Sequence, residues 1–375
     1  MELPQVLKRV PAEFWHVLGW FVLTRVALTC IALVMLQVAY TVENPSPHAL
    51  GIPLLDLWGQ WDAKWYLQIA ETGYSAVLQN GEATYAFYPF YPVVIRLMAS
   101  IVGNTYVAGL LVSNIALLAA GVLLYRLVRL DADRQTALRS AKYLFLYPAG
   151  YFFSSVMTEG LFIMLAIACF YAARKERWWL AGLLGVGLAL TKFIGVFIVI
   201  PLAIEYVQSR NWQLNKARWN ALGLALPLLG HAAFMAFLWR LTGDWFAYAH
   251  IMQSNHNAYG HYFANPLSAV REAFTAGNGH VVAGLFAIIA FVLLIAGFRA
   301  LRRSYWVYGM IAVFVPLFAG MIQARMGRYV AIVFPLFILF AAWSGKKEID
   351  QPLTVALALL QGFFMAVWSI GGLLT

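Results

Sequence analysis

Charge is scarce in this chain. Of 375 residues, 26 are Lys or Arg and only 16 are Asp or Glu, so charged side chains make up 11% of the total. A soluble domain carries about 25%, which excludes an ordinary water-soluble globule. Cysteine is nearly absent. Cys30 and Cys169 both fall inside apolar runs, which argues against a disulfide scaffold or a cysteine metal cluster. Internal repeats, low-complexity tracts and linker-like stretches are also lacking, so residues 1–375 read as one domain. No Walker loop, HExxH or GxSxG occurs, leaving ATP, zinc-peptidase and α/β-hydrolase chemistry unsupported.

Apolar and aromatic residues fill the space. The chain is 62% hydrophobic and 16% aromatic, with 14 tryptophans and a mean hydropathy of +0.73. This is the composition of an all-α polytopic membrane protein whose helix ends meet the interface. The net charge of +10 does not point to nucleic acid, because the basic residues are scattered singly between apolar runs. The N-terminus lacks a short apolar region followed by a small-residue cleavage site, and its first apolar run is expected to remain as a span.

Apolar runs of span length give about eleven candidates, near 16–40, 104–127, 138–156, 159–173, 178–191, 193–208, 219–241, 280–299, 305–322, 328–343 and 353–373. The helices within 138–208 are short and nearly continuous, as where a cavity enters the bilayer. Assigning loops alternately to two sides puts 18 Lys and Arg on one and 7 on the other, with Arg25 inside the first span. The richer side reads as cytoplasmic. Inner loops are short, so any chemistry is expected on the outer face. Two outer loops are long, about 41–103 and about 242–279, and these are expected to cap the active site.

The first long loop contains LWGQWDAKWYLQIAETGY, residues 57–74. Wound as one helix at about 100° per residue, it places Trp58, Trp61, Trp65 and Ile69 on one face, and Asp56, Gln60, Lys64, Gln68 and Glu71 on the other. This predicts an amphipathic helix lying at the membrane surface, tryptophans toward the headgroups. Asp62 breaks the pattern by projecting on the tryptophan side. A carboxylate on an apolar face is costly unless it is paired or used. Asp62 is therefore the leading catalytic candidate, the structural alternative being a pair with Lys64 or Arg96. Asp56 reads as an N-cap.

Other polar residues are out of place on the same side. Glu159 lies in a tight turn between apolar runs, either as an acid favoured by a helix N-terminus or as a functional carboxylate. Lys192 sits between two short helices, snorkelling or forming an anion site. Arg325 and Arg328 flank a span, and an arginine fork suits phosphate oxygens; Tyr329 adds a hydroxyl. In AFYPFYP, Tyr88 and Tyr91 are packing residues or line a groove with Trp61 and Lys64. His256 and His261 lack a convincing metal spacing with a nearby carboxylate and are assigned to loop or acceptor contacts, while His231 reads as a core residue. No metal site is expected. A general base beside a phosphate clamp is what transfer from a lipid phosphate to a hydroxyl requires.

An ordered set of segments resembles the GPI mannosyltransferase 2 (PIG-V type) family and its bacterial homologues. These are Trp61-Asp62, Ile69-Ala70 with Gly73-Tyr74, Tyr88-Pro89 with Tyr91-Pro92 before Arg96, YPAGYFFSSVMTEGLF at 147–162, ALTKFIGVFIVIP at 189–201, and RMGRYVAIVFPLF at 325–337. The chain departs from the family pattern at Gly160, where Ser is usual, at Lys192, where Arg is commoner, and at Phe193, where Pro is common.

The resemblance implies a GT-C glycosyltransferase that inverts the sugar it takes from a polyprenyl (dolichyl-type) phosphate, typically mannose. It gives the sugar to a lipid or glycan hydroxyl on the outer face. It makes Asp62 the base and Glu159 a second acid, with Lys192, Arg328 and Arg325 on the donor phosphate. The chemistry requires no cofactor, although Mg²⁺ or Mn²⁺ between Asp and Glu would be compatible. The location implied is the bacterial inner membrane with the site facing the periplasm, or the ER membrane in a eukaryote. A secondary transporter or lipid-linked sugar flippase is the main alternative. A membrane acyltransferase and a non-catalytic scaffold subunit are the others.

Overall fold

The computed structural model describes residues 11–38, 50–79, 83–255, 265–275, 280–318 and 326–372. Among them the regular structure is helical, with no strand. In chain order the helices are α1 Ala12–Val38, α2 Pro53–Asp56, α3 Ala63–Thr72, α4 Phe90–Val102, α5 Thr105–Val128, α6 Arg134–Phe145, α7 Glu159–Arg174, α8 Trp178–Ala189 and α9 Val199–Ser209. They continue as α10 Leu226–Thr242, α11 Ala247–Asn255, α12 Pro266–Thr275, α13 His280–Ala296, α14 Arg303–Phe318, α15 Met326–Ala331, α16 Phe334–Trp343 and α17 Lys347–Ser369.

Among the described residues, four helical stretches are long and apolar enough to cross a membrane: α1, α5, residues 219–242 and α17. Shorter apolar helices accompany them, among them α4, α8, α13, α14 and α16. By length and composition, four of the about eleven expected spans thus qualify among the described residues, and the others fall on shorter helices. Residues 138–156 do not form one span. α6 stops at Phe145, Pro148 disfavours helix at Tyr147, and a 3-10 turn follows at Gly150–Phe153. Residues 328–343 are likewise split into α15 and α16, with Pro335 in the first turn of α16. The helix bounds follow local chemistry. Asn104 caps α5 by accepting from Val107 N at 2.9 Å, and Gly103, at φ 76°, makes the left-handed turn that ends α4.

α5 lies centrally, packed along α7 and against α4 and α6, while α1 packs on α17 and α8 on α10. The outward face of α1 keeps Val22, Leu23, Val26 and Val34 exposed, and its inward face buries Val17, Leu28 and Ala32. Apolar side chains on both faces suit a helix with protein on one side and lipid on the other.

At the end of the molecule carrying the α7 C-terminus, ion pairs tie the helices together. Arg174 of α7 forks onto Asp131 at 2.5 and 2.7 Å and holds that carboxyl below its ordinary range. Glu205 of α9, fully buried, accepts from Arg302 at 2.8 Å and Ser304 at 2.6 Å. Lys142 of α6 donates to Asp350 of α17 at 2.6 Å.

Candidate active site

Four charged side chains meet where four helices are interrupted. Asp62 directly precedes α3, and Glu159 is the first residue of α7. Lys192 is extended between the end of α8 and the 3-10 turn Phe193–Ile198, and Arg328 lies in the short α15. Interruption puts backbone and side-chain polar groups at depth without a continuous ladder to satisfy them.

Arg328 bridges the two carboxylates. Its Nη1 donates to Asp62 Oδ2 at 2.5 Å, and its Nε donates to Glu159 Oε1. Lys192 Nζ donates to that same Glu159 oxygen. The cluster of two acids and two bases is electroneutral. Its members differ in access: the Glu159 side chain is fully buried, whereas Asp62 is 25% exposed. Asp62 is thus the carboxylate a substrate can reach. Aromatic rings flank the cations, Tyr329 at 5.3 Å from Lys192 Nζ and Phe152 at 5.8 Å from the Arg328 guanidinium.

The loop carrying Asp62 is not the helix its periodicity predicts. Residues 57–74 divide into a 3-10 turn at Leu57–Gly59, a break, and α3. Trp61, at the break, holds φ 59°, a left-handed conformation uncommon for a bulky residue and characteristic of functional sites. Trp58, Trp65 and Ile69 are buried in protein rather than turned to headgroups, and Gln60 of the expected polar face is fully buried. Trp61 alone of the three tryptophans is exposed. The segment is anchored by Trp368 Nε1 donating to Leu57 O at 2.9 Å and Tyr106 OH donating to Leu55 O at 2.7 Å. Asp56 caps no helix; it accepts from Leu50 N at 2.7 Å.

The remaining candidates scatter. Lys64 is exposed and lies over the Trp65 ring at 5.1 Å, and Arg96 donates to Ala70 O, at the end of α3, at 2.5 Å. These two were the structural alternative for pairing Asp62, and the structure brings Arg328 to it. Tyr91 is fully buried, at 2.7 Å from Ser113 Oγ, so it packs the core and lines no groove. Tyr88 is also buried, its hydroxyl 3.3 Å from His231 Nδ1. Arg325, His256 and His261 lie outside the described residues. Among the described residues no group of three or more His, Cys, Asp or Glu could hold a metal ion.

Sequence reading missed Phe152 beside Arg328, and also Tyr248 of α11, whose ring lies 5.0 Å from Tyr88 and 5.9 Å from Phe193, the neighbour of Lys192. Neither carries a charge that would look misplaced, so no local signal marks them in a chain this aromatic.

Several solved structures are similar to the chain. The oligosaccharyltransferase of Archaeoglobus fulgidus in its apo form matches with 13% identity and a TM-score of 0.46, covering 97% of this chain and 55% of that one. The same enzyme with Zn and sulfate matches with 14% identity and a TM-score of 0.44, covering 92% and 53%. With an inhibitory peptide and a dolichol-phosphate the figures are 12%, 0.43, 93% and 55%. The chain spans about half the length of these structures. No curated protein matches it. The family model for mannosyltransferase (PIG-V) matches residues 48–274, a stretch that contains Asp62, Glu159 and Lys192 and more than half of the chain. This integral membrane protein belongs to the mannosyltransferase (PIG-V) family.

Proposed function

We propose that the chain is an inverting glycosyltransferase of GT-C type. It moves a sugar, mannose by family, from a polyprenyl-phosphate donor to a lipid or glycan hydroxyl on the outer face of its membrane. The observation that carries this reading is the neutral cluster in which Arg328 joins a reachable carboxylate, Asp62, to a buried one, Glu159, beside Lys192.

Charge accounting favours that chemistry. The donor phosphodiester brings one negative charge. As the acceptor oxygen bonds to the anomeric carbon, its proton passes to Asp62 and the carbon–phosphate-oxygen bond breaks, its electron pair leaving with the phosphate. The phosphate gains one negative charge in the same step that protonated Asp62 turns the cluster from neutral to positive. Electrostatic stabilisation therefore appears where charge develops, which is the condition for lowering the barrier rather than tightening ground-state binding. Lys192 and Arg328 hold the phosphate in this scheme. Glu159, with one oxygen already between two cations, keeps them aimed and does not take the proton. Arg325 and Tyr329 are further candidates for the phosphate, and Trp61, His256 and His261 for the acceptor. Neither a nucleotide nor a metal is needed, because a polyprenyl phosphate is a sufficient leaving group once neutralised.

The alternative reading is a transporter or flippase for lipid-linked sugars, since charges at broken helices also serve that purpose. Purified protein in liposomes, given radiolabelled polyprenyl-phosphate mannose and a membrane glycolipid extract, separates the two. The expected outcome is a labelled glycolipid or glycan whose anomeric configuration is opposite to the donor's. Donor that crosses the bilayer with its sugar still attached, and no labelled product, would replace this reading with the transporter.

A further inference from the structure

Arg25 is the charge the site does not use. It stands midway along α1, Ala12–Val38, thirteen residues from either end, or about 20 Å at 1.5 Å per residue. A snorkelling side chain covers only part of that distance, so its charge must be satisfied at depth. The partners lie at the end of α6 and on the segment that follows it. Arg25 Nη1 donates to Gly150 O at 3.0 Å and Ser154 Oγ at 2.6 Å, and Nη2 donates to Phe145 O at 3.3 Å.

That segment, residues 146–158, is the passage between α6 and α7, which holds only a 3-10 turn. Breaking a helix inside a membrane protein leaves carbonyls without ladder partners. Three helices supply donors to them. Besides Arg25, Gln361 of α17 donates to Phe145 O at 2.8 Å and Tyr147 O at 2.9 Å, and Asn114 of α5 donates to Ser154 O at 3.2 Å. Ser154 Oγ passes the link on to Asn114 Oδ1 at 2.9 Å. Packing leaves no slack here, since a Cβ on Gly150 would stand 2.5 Å from Gln361 Nε2.

The segment adjoins the elements that carry both carboxylates of the site. It leads directly into Glu159, it carries Phe152 beside Arg328, and its Val156 N donates to Trp58 O at 2.9 Å in the loop that bears Asp62. Resting on the transferase reading above, we propose that Arg25, assisted by Gln361, is a positioning residue for catalysis: it fixes the 146–158 passage and through it the separation of Asp62 from Glu159 and Arg328. Arg25 touches no substrate in this scheme and acts through the backbone it holds.

The test uses the full chain in nanodiscs with Arg25→Lys, Arg25→Gln and Gln361→Leu. Arg302→Gln at the opposite end serves as a control for generic loss of stability. Two readouts are taken: transfer kinetics with polyprenyl-phosphate mannose, and amide hydrogen exchange across 146–160. Displacement of reacting groups by about 1 Å can cost on the order of 100-fold in rate. Arg25→Gln is therefore expected to lower kcat by about 10- to 100-fold while KM for the donor stays within about twofold. Arg25→Lys should recover part of the loss, and amides of 150–158 should exchange faster in Arg25→Gln but not in Arg302→Gln. Unchanged exchange across 150–158 would overturn the proposal whatever the activity, as would a kcat loss in Arg25→Gln no larger than in Arg302→Gln. Wild-type protein that transfers no sugar would instead contradict the transferase reading, and the exchange measurement still decides the role of Arg25. If Arg25→Gln fails to fold, Gln361→Leu carries both readouts.

Discussion

Arg328 does more than any other single side chain to define the site, because its guanidinium reaches Asp62 and Glu159 with different nitrogens. Lysine offers a point charge on a flexible stem and lacks that fork. Arg328→Lys is accordingly expected to keep the net charge, raise KM for the donor, and cut kcat/KM by about 100-fold, roughly the loss of one well-placed electrostatic contact. Steady-state kinetics on purified variants check this, and near wild-type kinetics would contradict the bridge. All four members of the cluster were legible in the sequence as polar residues in apolar company. Their pairing was not. Asp62 and Arg328 are 266 positions apart, and local spacing offered Lys64 and Arg96 instead. Asp62 faces the cluster, but the assumption of one continuous helix fails at Trp61, whose left-handed backbone resets the rotation of everything after it.

At the scale of elements, the interruptions make the site, and close backbone contacts keep them in place. The turn after Lys192 depends on Gly195, where a Cβ would stand 2.1 Å from Leu188 O at the end of α8. Gly195 N also donates to Lys192 O at 2.8 Å. The Cβ position is set by the backbone and Leu188 O is itself backbone, so no rotamer change relieves the clash. Gly195→Ala is expected to destabilise the protein by about 1–3 kcal/mol and to raise KM for the donor as Lys192 is pushed from Glu159. Thermal unfolding and donor titration measure the two effects, and an unaltered midpoint would show that the turn has room it is not expected to have. Short, nearly continuous helices across 138–208 were visible in the hydropathy pattern. The break inside 138–156 was hidden because Leu146, Tyr147, Phe152 and Phe153 are as apolar as any span. What ends the helix is backbone chemistry at Pro148, and what makes the break tolerable is a set of donors from α1, α5 and α17 that hydropathy does not register.

For the whole molecule, composition was a sound guide to a helical membrane protein, and the ordered motifs to its family. The distribution of basic residues has a structural counterpart: Arg174, Arg302 and Lys142, all assigned to the richer side, are engaged in ion pairs that lock helix ends there. Lys192 and Arg328, from the poorer side, converge on two carboxylates. The molecule thus separates an end braced by ion pairs from one that holds the four-charge cluster, and the proposed function stands or falls on whether Asp62 performs chemistry there. The most direct measurement compares wild type with Asp62→Asn for transfer of radiolabelled mannose from polyprenyl phosphate, with donor binding measured on the same samples. We expect binding to persist and turnover to fall by on the order of 100- to 10,000-fold, the range for loss of a general base. Equal turnover in the two proteins would contradict the central claim.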